Sequence, residues 1–146
     1  MGIEIEHKFL VKNDTYKSMA IASYHILQGY LCREPERTVR VRIKGDKGYL
    51  TVKGKNKGSR RDEFEYEISP DDAMRMLRMC VAPILEKTRY IVPFEGHTWE
   101  VDEFSGNRTG LITAEIELSS EKEEYSVPGF IGDNVTDNPA YYNSNL

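Results

Sequence analysis

Hydrophobic and polar residues alternate with a period of two through most of the chain, and turn residues separate the alternating stretches. In the first stretch, one face carries Ile3, Ile5, His7 and Phe9 and the other carries Glu4, Glu6 and Lys8. This period is typical of β-strands. The pattern predicts eight strands, at residues 2–11, 24–31, 37–44, 49–55, 61–68, 85–92, 98–104 and 111–119.

Helices are predicted at only a few places between these strands. Ser69 is a good N-terminal cap and Pro70 a good first residue, so a helix is predicted over residues 70–80. Two more short helices are predicted at residues 14–22 and 138–145. The GDKG segment at residues 45–48 predicts a hairpin loop. We therefore expect one mainly β domain with a few helices (α+β) over residues 1–146.

Composition narrows the functional classes. A chain of 146 residues is about one domain long, and its net charge of −4 argues against a general nucleic-acid binder. Cys32 and Cys80 lack the spacing of a disulfide framework or a zinc site. Charges interrupt the apolar residues at the N-terminus, and no later apolar run is long enough for a bilayer. We expect a cytoplasmic protein without membrane or nucleic-acid partners.

In nearly every predicted strand, the face opposite the apolar stripe carries charged side chains. The acidic ones are Glu4, Glu6, Glu63, Glu65, Glu67, Glu100, Asp102, Glu115 and Glu117, and the basic ones are Lys8, Arg40, Arg42, Lys44, Lys53, Lys87 and Arg89. An open antiparallel sheet with one solvated face also alternates in this way. Solvated faces usually mix uncharged polar residues with charges, however, whereas here the acids and bases are segregated by strand.

Segregated charges of this kind need a ligand or counter-charge. Like charges two residues apart on one strand face lie roughly 6 to 7 Å apart and repel each other. For two carboxylates, this repulsion raises the pKa of both groups unless a counter-charge intervenes. Clustered carboxylates suit Mg²⁺ or Mn²⁺, and arginine and lysine suit phosphate oxygens. If the eight strands close into an antiparallel barrel, the charged set faces a small water-filled interior and the apolar side chains point outward under short helices.

Short motifs on these strands resemble, in order, those of the CYTH or triphosphate tunnel metalloenzyme family. The first is the ExExK signature, Glu4-x-Glu6-x-Lys8. The later ones are QGYL at 28–31, RVRIK at 40–44, Lys53, EFE at 63–65, EKTRY at 86–90, EVD at 100–102 and EIE at 115–117. The resemblance covers nearly the whole chain, and it implies a tunnel-like barrel of eight antiparallel strands.

The resemblance also implies roles for individual residues. It implies divalent metal ligands at Glu4, Glu6, Glu115 and Glu117, with Glu63, Glu65 and Asp102 completing the acidic shell. It implies phosphate contacts from Lys8, Arg40, Arg42, Lys53, Lys87 and Arg89. Tyr30 matches the position of a proton acceptor, so Tyr30 and Lys8 are the candidate catalytic residues. The tail at 139–145 resembles the segment that folds over one tunnel mouth, and the roles of Glu67, Glu100 and Lys44 stay open.

The function that follows is hydrolysis of inorganic triphosphate to pyrophosphate and phosphate by a monomer or homodimer, with Mg²⁺ or Mn²⁺ as cofactor. Class IV adenylyl cyclase and thiamine triphosphatase are alternatives on the same fold. A non-catalytic polyphosphate-binding module is an alternative of another class. The basic run at residues 54–61 is interpreted as a solvated hairpin loop in preference to a nucleic-acid module.

Overall fold

A computed structural model describes residues 2–146 and shows a closed antiparallel barrel of eight strands. The strands are β1 (Gly2–Val11), β2 (Ala22–Glu34), β3 (Arg37–Lys44), β4 (Lys47–Gly54), β5 (Arg60–Ile68), β6 (Val81–Phe94), β7 (His97–Ser105) and β8 (Ile112–Glu117). Around the barrel the order is β5-β4-β3-β2-β6-β7-β8-β1, and pairing of β1 with β5 closes it. The predicted fold class is confirmed.

Strands β2 and β6 are longer than predicted, because β2 pairs with β6 from Ala22 to Tyr30 and with β3 as far as Glu34, and β6 pairs with β7 as far as Phe94. A ninth strand, β9 (Ile131–Asn134), was not predicted. It pairs with β1 from Phe9 onward, beyond the point where β5 ends. Its four residues are too few to show an alternating pattern, so its existence depends on the free edge of β1.

The helices are shorter than predicted. They are α1 (Tyr16–Met19), α2 (Pro70–Leu77) and three short 3-10 helices at Gly106–Arg108, Pro139–Tyr141 and Asn143–Asn145. The Ser69 hydroxyl accepts a hydrogen bond from the Asp72 N–H at 3.1 Å, which confirms the predicted cap of α2. The hairpin loop predicted at 45–48 is reduced to two residues, because β4 begins at Lys47. None of the helices in residues 2–146 combines the length and the apolar character needed to span a bilayer.

The hydrophobic core of this barrel lies outside its wall. Ala73 and Leu77 of α2 pack on Val41 of β3, and Tyr16 of α1 belongs to the core cluster around Trp99 of β7. The alternation within each strand therefore sends apolar side chains outward to these covers. The charged side chains point into the barrel interior, as predicted for a closed barrel.

Candidate active site

The interior of the barrel is a charged tunnel with a cavity of about 250 Å³. Its lining includes six basic and seven acidic side chains, namely Lys8, Arg40, Arg42, Lys53, Arg61 and Arg89 and Glu4, Glu6, Glu63, Glu65, Glu100, Glu115 and Glu117. The volume is below the range of 300 to 1,000 Å³ that is usual for drug-sized ligands. The tunnel therefore suits a small, highly charged ligand.

Two of the predicted site residues, Lys87 and Asp102, lie behind the lining. Their side chains are 0% and 1% exposed, and Lys87 Nζ lies 2.7 Å from Asp102 Oδ2. Arg89 binds both oxygens of Asp102, at 2.8 and 2.9 Å. Burial lowers the pKa of Lys87 to about 8. Asp102 therefore fixes the position of Arg89, whose guanidinium reaches the cavity.

Lys8 and Glu115 form a buried ion pair on neighbouring strands, with Nζ 3.2 Å from Oε2. Burial acts against both charges, yet Glu115 and then Glu6 raise the pKa of Lys8. Lys8, followed by Arg89, lowers the pKa of Glu115 well below its usual value. Both groups are therefore charged at neutral pH. Lys8 Nζ also donates to the Tyr141 carbonyl at 2.9 Å.

Glu4 lies near the N-terminal end of β1, where two cations contact its carboxylate. Lys53 Nζ lies 3.2 and 3.1 Å from its two oxygens, and Arg61 Nε lies 3.2 Å from Oε1. Burial opposes ionisation, but Lys53 and then Arg61 lower the pKa of Glu4 to about 2. Lys53 also contacts Glu63 at 3.3 Å. The Glu4 carboxylate is thus charged and held in a fixed position.

Two arginines of β3 converge on Glu65 of β5. The terminal nitrogen of Arg42 lies 3.1 Å and that of Arg40 3.7 Å from Glu65 Oε1. Thr51 donates its hydroxyl to the same oxygen at 3.2 Å. Burial, then Arg40 and Arg89, lowers the pKa of Arg42 to about 10. The guanidinium groups of Arg40 and Arg42 therefore lie together at this part of the tunnel, where they attract anions.

Glu6 is the least compensated acid of the tunnel. Removal from water, followed by the charges of Glu115 and Glu4, raises its pKa well above the usual value. The pKa of Glu117, on the paired strand, is raised by partial burial and by Glu4 and Glu63. Within residues 2–146, no three His, Cys, Asp or Glu side chains are grouped as ligands of one metal ion.

The predicted catalytic tyrosine lines the tunnel. Tyr30 is 5% exposed, and its hydroxyl accepts a hydrogen bond of 3.4 Å from the amide of Gln28. Gln28 is fully buried and pairs across the sheet with Arg42. The structure therefore places Tyr30 beside the basic part of the cavity.

The C-terminal tail closes on the barrel interior, as the sequence predicted. Tyr142, Asn143 and Ser144 contribute to the tunnel lining. Leu146 is buried against Leu85 and Phe104, and Arg108 donates to its backbone oxygen at 3.0 and 2.8 Å. The tail is thus part of the tunnel wall.

Several residues that line the tunnel were not predicted from the sequence, and the most important of them is Arg61. The lining also includes Asn56 and Ser59 of the hairpin between β4 and β5, together with Thr136. The interpretation of this hairpin as a solvated loop is therefore wrong for Asn56 and Ser59, which line the tunnel. Arg61 precedes Glu63 by two, so the alternation of β5 already placed it on the interior face.

Several known proteins are similar to this chain in sequence and in fold. The profile of the CYTH domain matches residues 2–135. Over 147 aligned residues, the chain is 50% identical to an inorganic triphosphatase of Acetivibrio thermocellus, covering 100% of this chain and 94% of that protein. It is 30% identical to an inorganic triphosphatase of Nitrosomonas europaea, with 98% and 95% covered. A crystal structure of an inorganic triphosphatase superposes with a TM-score of 0.70 at 28% identity, with 97% and 92% covered.

Proposed function

Because the chain belongs to the CYTH domain family, we propose that it is a phosphohydrolase that cleaves inorganic triphosphate to pyrophosphate and phosphate inside its barrel. The observation that carries the proposal is the convergence of six cations and seven carboxylates on one small cavity. The two curated relatives that cover nearly the whole chain are both inorganic triphosphatases.

The cations of the lining would bind the phosphate oxygens. Arg40, Arg42, Lys53, Arg89 and Lys8 all line the cavity, and each is fixed by a carboxylate or a hydroxyl. Phosphoryl transfer depends mainly on positioning and on stabilisation of charge, so a rigid set of cations suits it. Lys87 would contribute indirectly, because it shares Asp102 with Arg89.

A divalent cation, Mg²⁺ or Mn²⁺, would be held by Glu4, Glu6, Glu115 and Glu117, with Glu63 and Glu65 beside them. The donor set fits, because carboxylate oxygens are the ligands that these ions prefer. The raised pKa of Glu6, caused by removal from water and by Glu115 and Glu4, marks a site where a cation would relieve repulsion. The metal would neutralise charge on the phosphate oxygens.

Tyr30 and Lys8 would act at the reacting end of the substrate. The Gln28 amide donates to the Tyr30 hydroxyl oxygen, whose remaining lone pair would accept a hydrogen bond from the attacking water and orient it. Lys8 would stabilise negative charge on the phosphoryl group, because Glu115 and Glu6 raise its pKa and keep it protonated. Water would attack the terminal phosphorus, and pyrophosphate would leave.

The test is release of phosphate from inorganic triphosphate, measured with Mg²⁺ and with Mn²⁺. We expect Glu115→Gln to abolish metal-dependent release, because it removes a buried carboxylate that contacts both Lys8 and Arg89. Glu121→Gln, an exposed position outside the tunnel, is the matched control. Near-native turnover by Glu115→Gln would contradict the assignment.

A panel of substrates separates the alternatives on the same barrel. ATP assayed for a cyclic product tests the adenylyl cyclase, and thiamine triphosphate tests the corresponding triphosphatase. Binding of triphosphate without release of phosphate under any of these conditions would indicate a non-catalytic binding module. We expect inorganic triphosphate to give the highest kcat/KM.

A further inference from the structure

The outer wall of the barrel is left partly uncovered where β4, β5 and β1 run side by side. Four apolar side chains on this face are 37% to 62% exposed, namely Val52, Ile3, Phe64 and Tyr66. None of the four belongs to the three apolar core clusters that residues 2–146 form. We propose that this face joins two copies of the chain through a two-fold axis at Phe64, with their β5 strands antiparallel. The proposal concerns the outside of the barrel and does not depend on the hydrolytic one.

The four side chains form one continuous patch. Val52 lies directly across from Phe64 on the neighbouring strand, and Tyr66 is the next residue of β5 that points outward. Ile3 pairs with Asp62, the outward-facing residue before Phe64. Single exposed apolar side chains are common on monomers, whereas a continuous patch with a polar rim marks an interaction surface.

Helix α2 bounds this patch at one end of β5. The core cluster under the helix includes Leu50 and Ile68, but within residues 2–146 it includes no outward-facing residue of β5 before Ile68. The Arg60 end of the strand therefore has no part in the packing under α2. In an antiparallel pair, the helix of each copy lies opposite the helix-free end of the other, so the two faces fit together. Met74, which is 42% exposed on α2, would add apolar area to the contact.

Charges at the two ends of the face have opposite signs. Arg60 is exposed at the start of β5, and it points outward because the next residue, Arg61, lines the tunnel. Beyond the other end of β5, Asp71 and Asp72 are exposed in the first turn of α2. Among residues 2–146, none of Arg60, Asp71 and Asp72 has an ion-pair partner. The antiparallel arrangement brings the Arg60 of each copy toward the acidic turn of the other.

The centre of the face is also self-complementary. Asp62 and Tyr66 each lie two residues from Phe64, so a two-fold axis at Phe64 places the Asp62 of one copy opposite the Tyr66 of the other. Within the part of the chain that the structure describes, neither side chain makes a hydrogen bond. A phenol donates well to a carboxylate. Each copy thus supplies one donor and one acceptor, as an isologous interface requires.

The size of the patch indicates a dimer of moderate affinity. A buried aromatic side chain covers about 150 to 250 Å², so the exposed parts of Phe64 and Tyr66 amount to roughly 200 Å². Each partner of a standard interface buries about 800 Å². The remainder would come from Ile3, Val52, Met74 and the charged rim. We therefore expect a dissociation constant of about 1 to 100 μM.

Sedimentation velocity over a concentration series from about 1 μM to about 1 mM tests the proposal, because this range spans the expected dissociation constant. We expect Phe64→Glu to weaken the dimer by about tenfold or more, since the two-fold axis places the two new charges beside each other. Val127→Glu is the matched control, because Val127 is 52% exposed on the connection between β8 and β9. A native protein that stays monomeric throughout the series, or equal effects of the two variants, would refute the proposal.

A charge exchange tests the antiparallel arrangement. Arg60→Asp and Asp71→Arg should each weaken the dimer by about threefold or more, and the double variant should restore it, because each single change sets like charges against each other. Failure of the double variant to associate better than the single ones would overturn the arrangement. Unchanged circular dichroism and unchanged phosphate release from triphosphate verify that the barrel of each variant is folded.

Discussion

Asp102 is the residue whose replacement should damage the folded barrel most directly. Its carboxylate is 1% exposed and lies 2.7 Å from Lys87 Nζ and 2.8 and 2.9 Å from two nitrogens of Arg89. Asp102→Asn keeps the shape but removes the carboxylate that lies against Lys87, and it leaves Arg89 with only its longer contacts to Glu100 and Glu115. Removing one partner from a buried ion pair costs about 3 to 5 kcal/mol. For a chain of this size, that loss lowers the melting temperature by about 6 to 20 °C.

Urea and thermal unfolding of Asp102→Asn measure the effect, and two variants control for it. Glu100→Gln removes a carboxylate that contacts Arg89 at 3.3 Å but is 34% exposed, so we expect a loss below about 1 kcal/mol. Lys87→Met leaves the Arg89–Asp102 pair intact and should cost less than Asp102→Asn. A change of less than about 1 kcal/mol for Asp102→Asn would refute the structural role of the buried charges.

Three smaller predictions concern the rest of the fold. Ser69→Ala removes the cap that accepts from the Asp72 N–H and should lower the free energy of unfolding by about 1 kcal/mol, measured in urea. Gly29→Ala would place a methyl group 2.9 Å from Cys80 Cβ and should cost about 1 to 3 kcal/mol by overpacking, again from urea unfolding. Hydrogen bonds from Ser119 lower the pKa of Glu123 to about 2, below its ordinary 4.5. Stability from Glu123 is therefore present above pH 4.5 and lost as the pH falls to about 2. Thermal melts of Glu123→Gln should show a weaker pH dependence in that range.

The period of two was sufficient to predict the eight barrel strands, because apolar side chains point outward from the barrel wall and charged side chains point into the tunnel. Glu4 and Arg40, from different strands, are both in the lining, as the closed barrel requires. The pattern could not show which interior side chains reach the cavity and which are buried behind its lining. Lys87 and Asp102 have the same alternation as the lining residues, yet neighbouring strands bury them completely.

Features that depend on contacts between distant segments could not be predicted from the pattern. Strand β9 forms because β1 has an edge left unpaired beyond β5, and its own four residues give no signal. Arg61 was counted with the basic hairpin and so was overlooked as an interior residue. Its position follows from the register that pairs it with Glu4.

The outward-facing core has a consequence for how this chain tolerates insertions. In an ordinary sheet, one additional residue within a strand exposes apolar side chains to water. Here the same insertion would also drive Glu or Arg into the packing under α2 or around Trp99, while Ile and Val entered the ion-lined channel. Length changes should therefore be confined to the connecting turns, whereas exchanges of one interior charge for another leave the outer packing untouched.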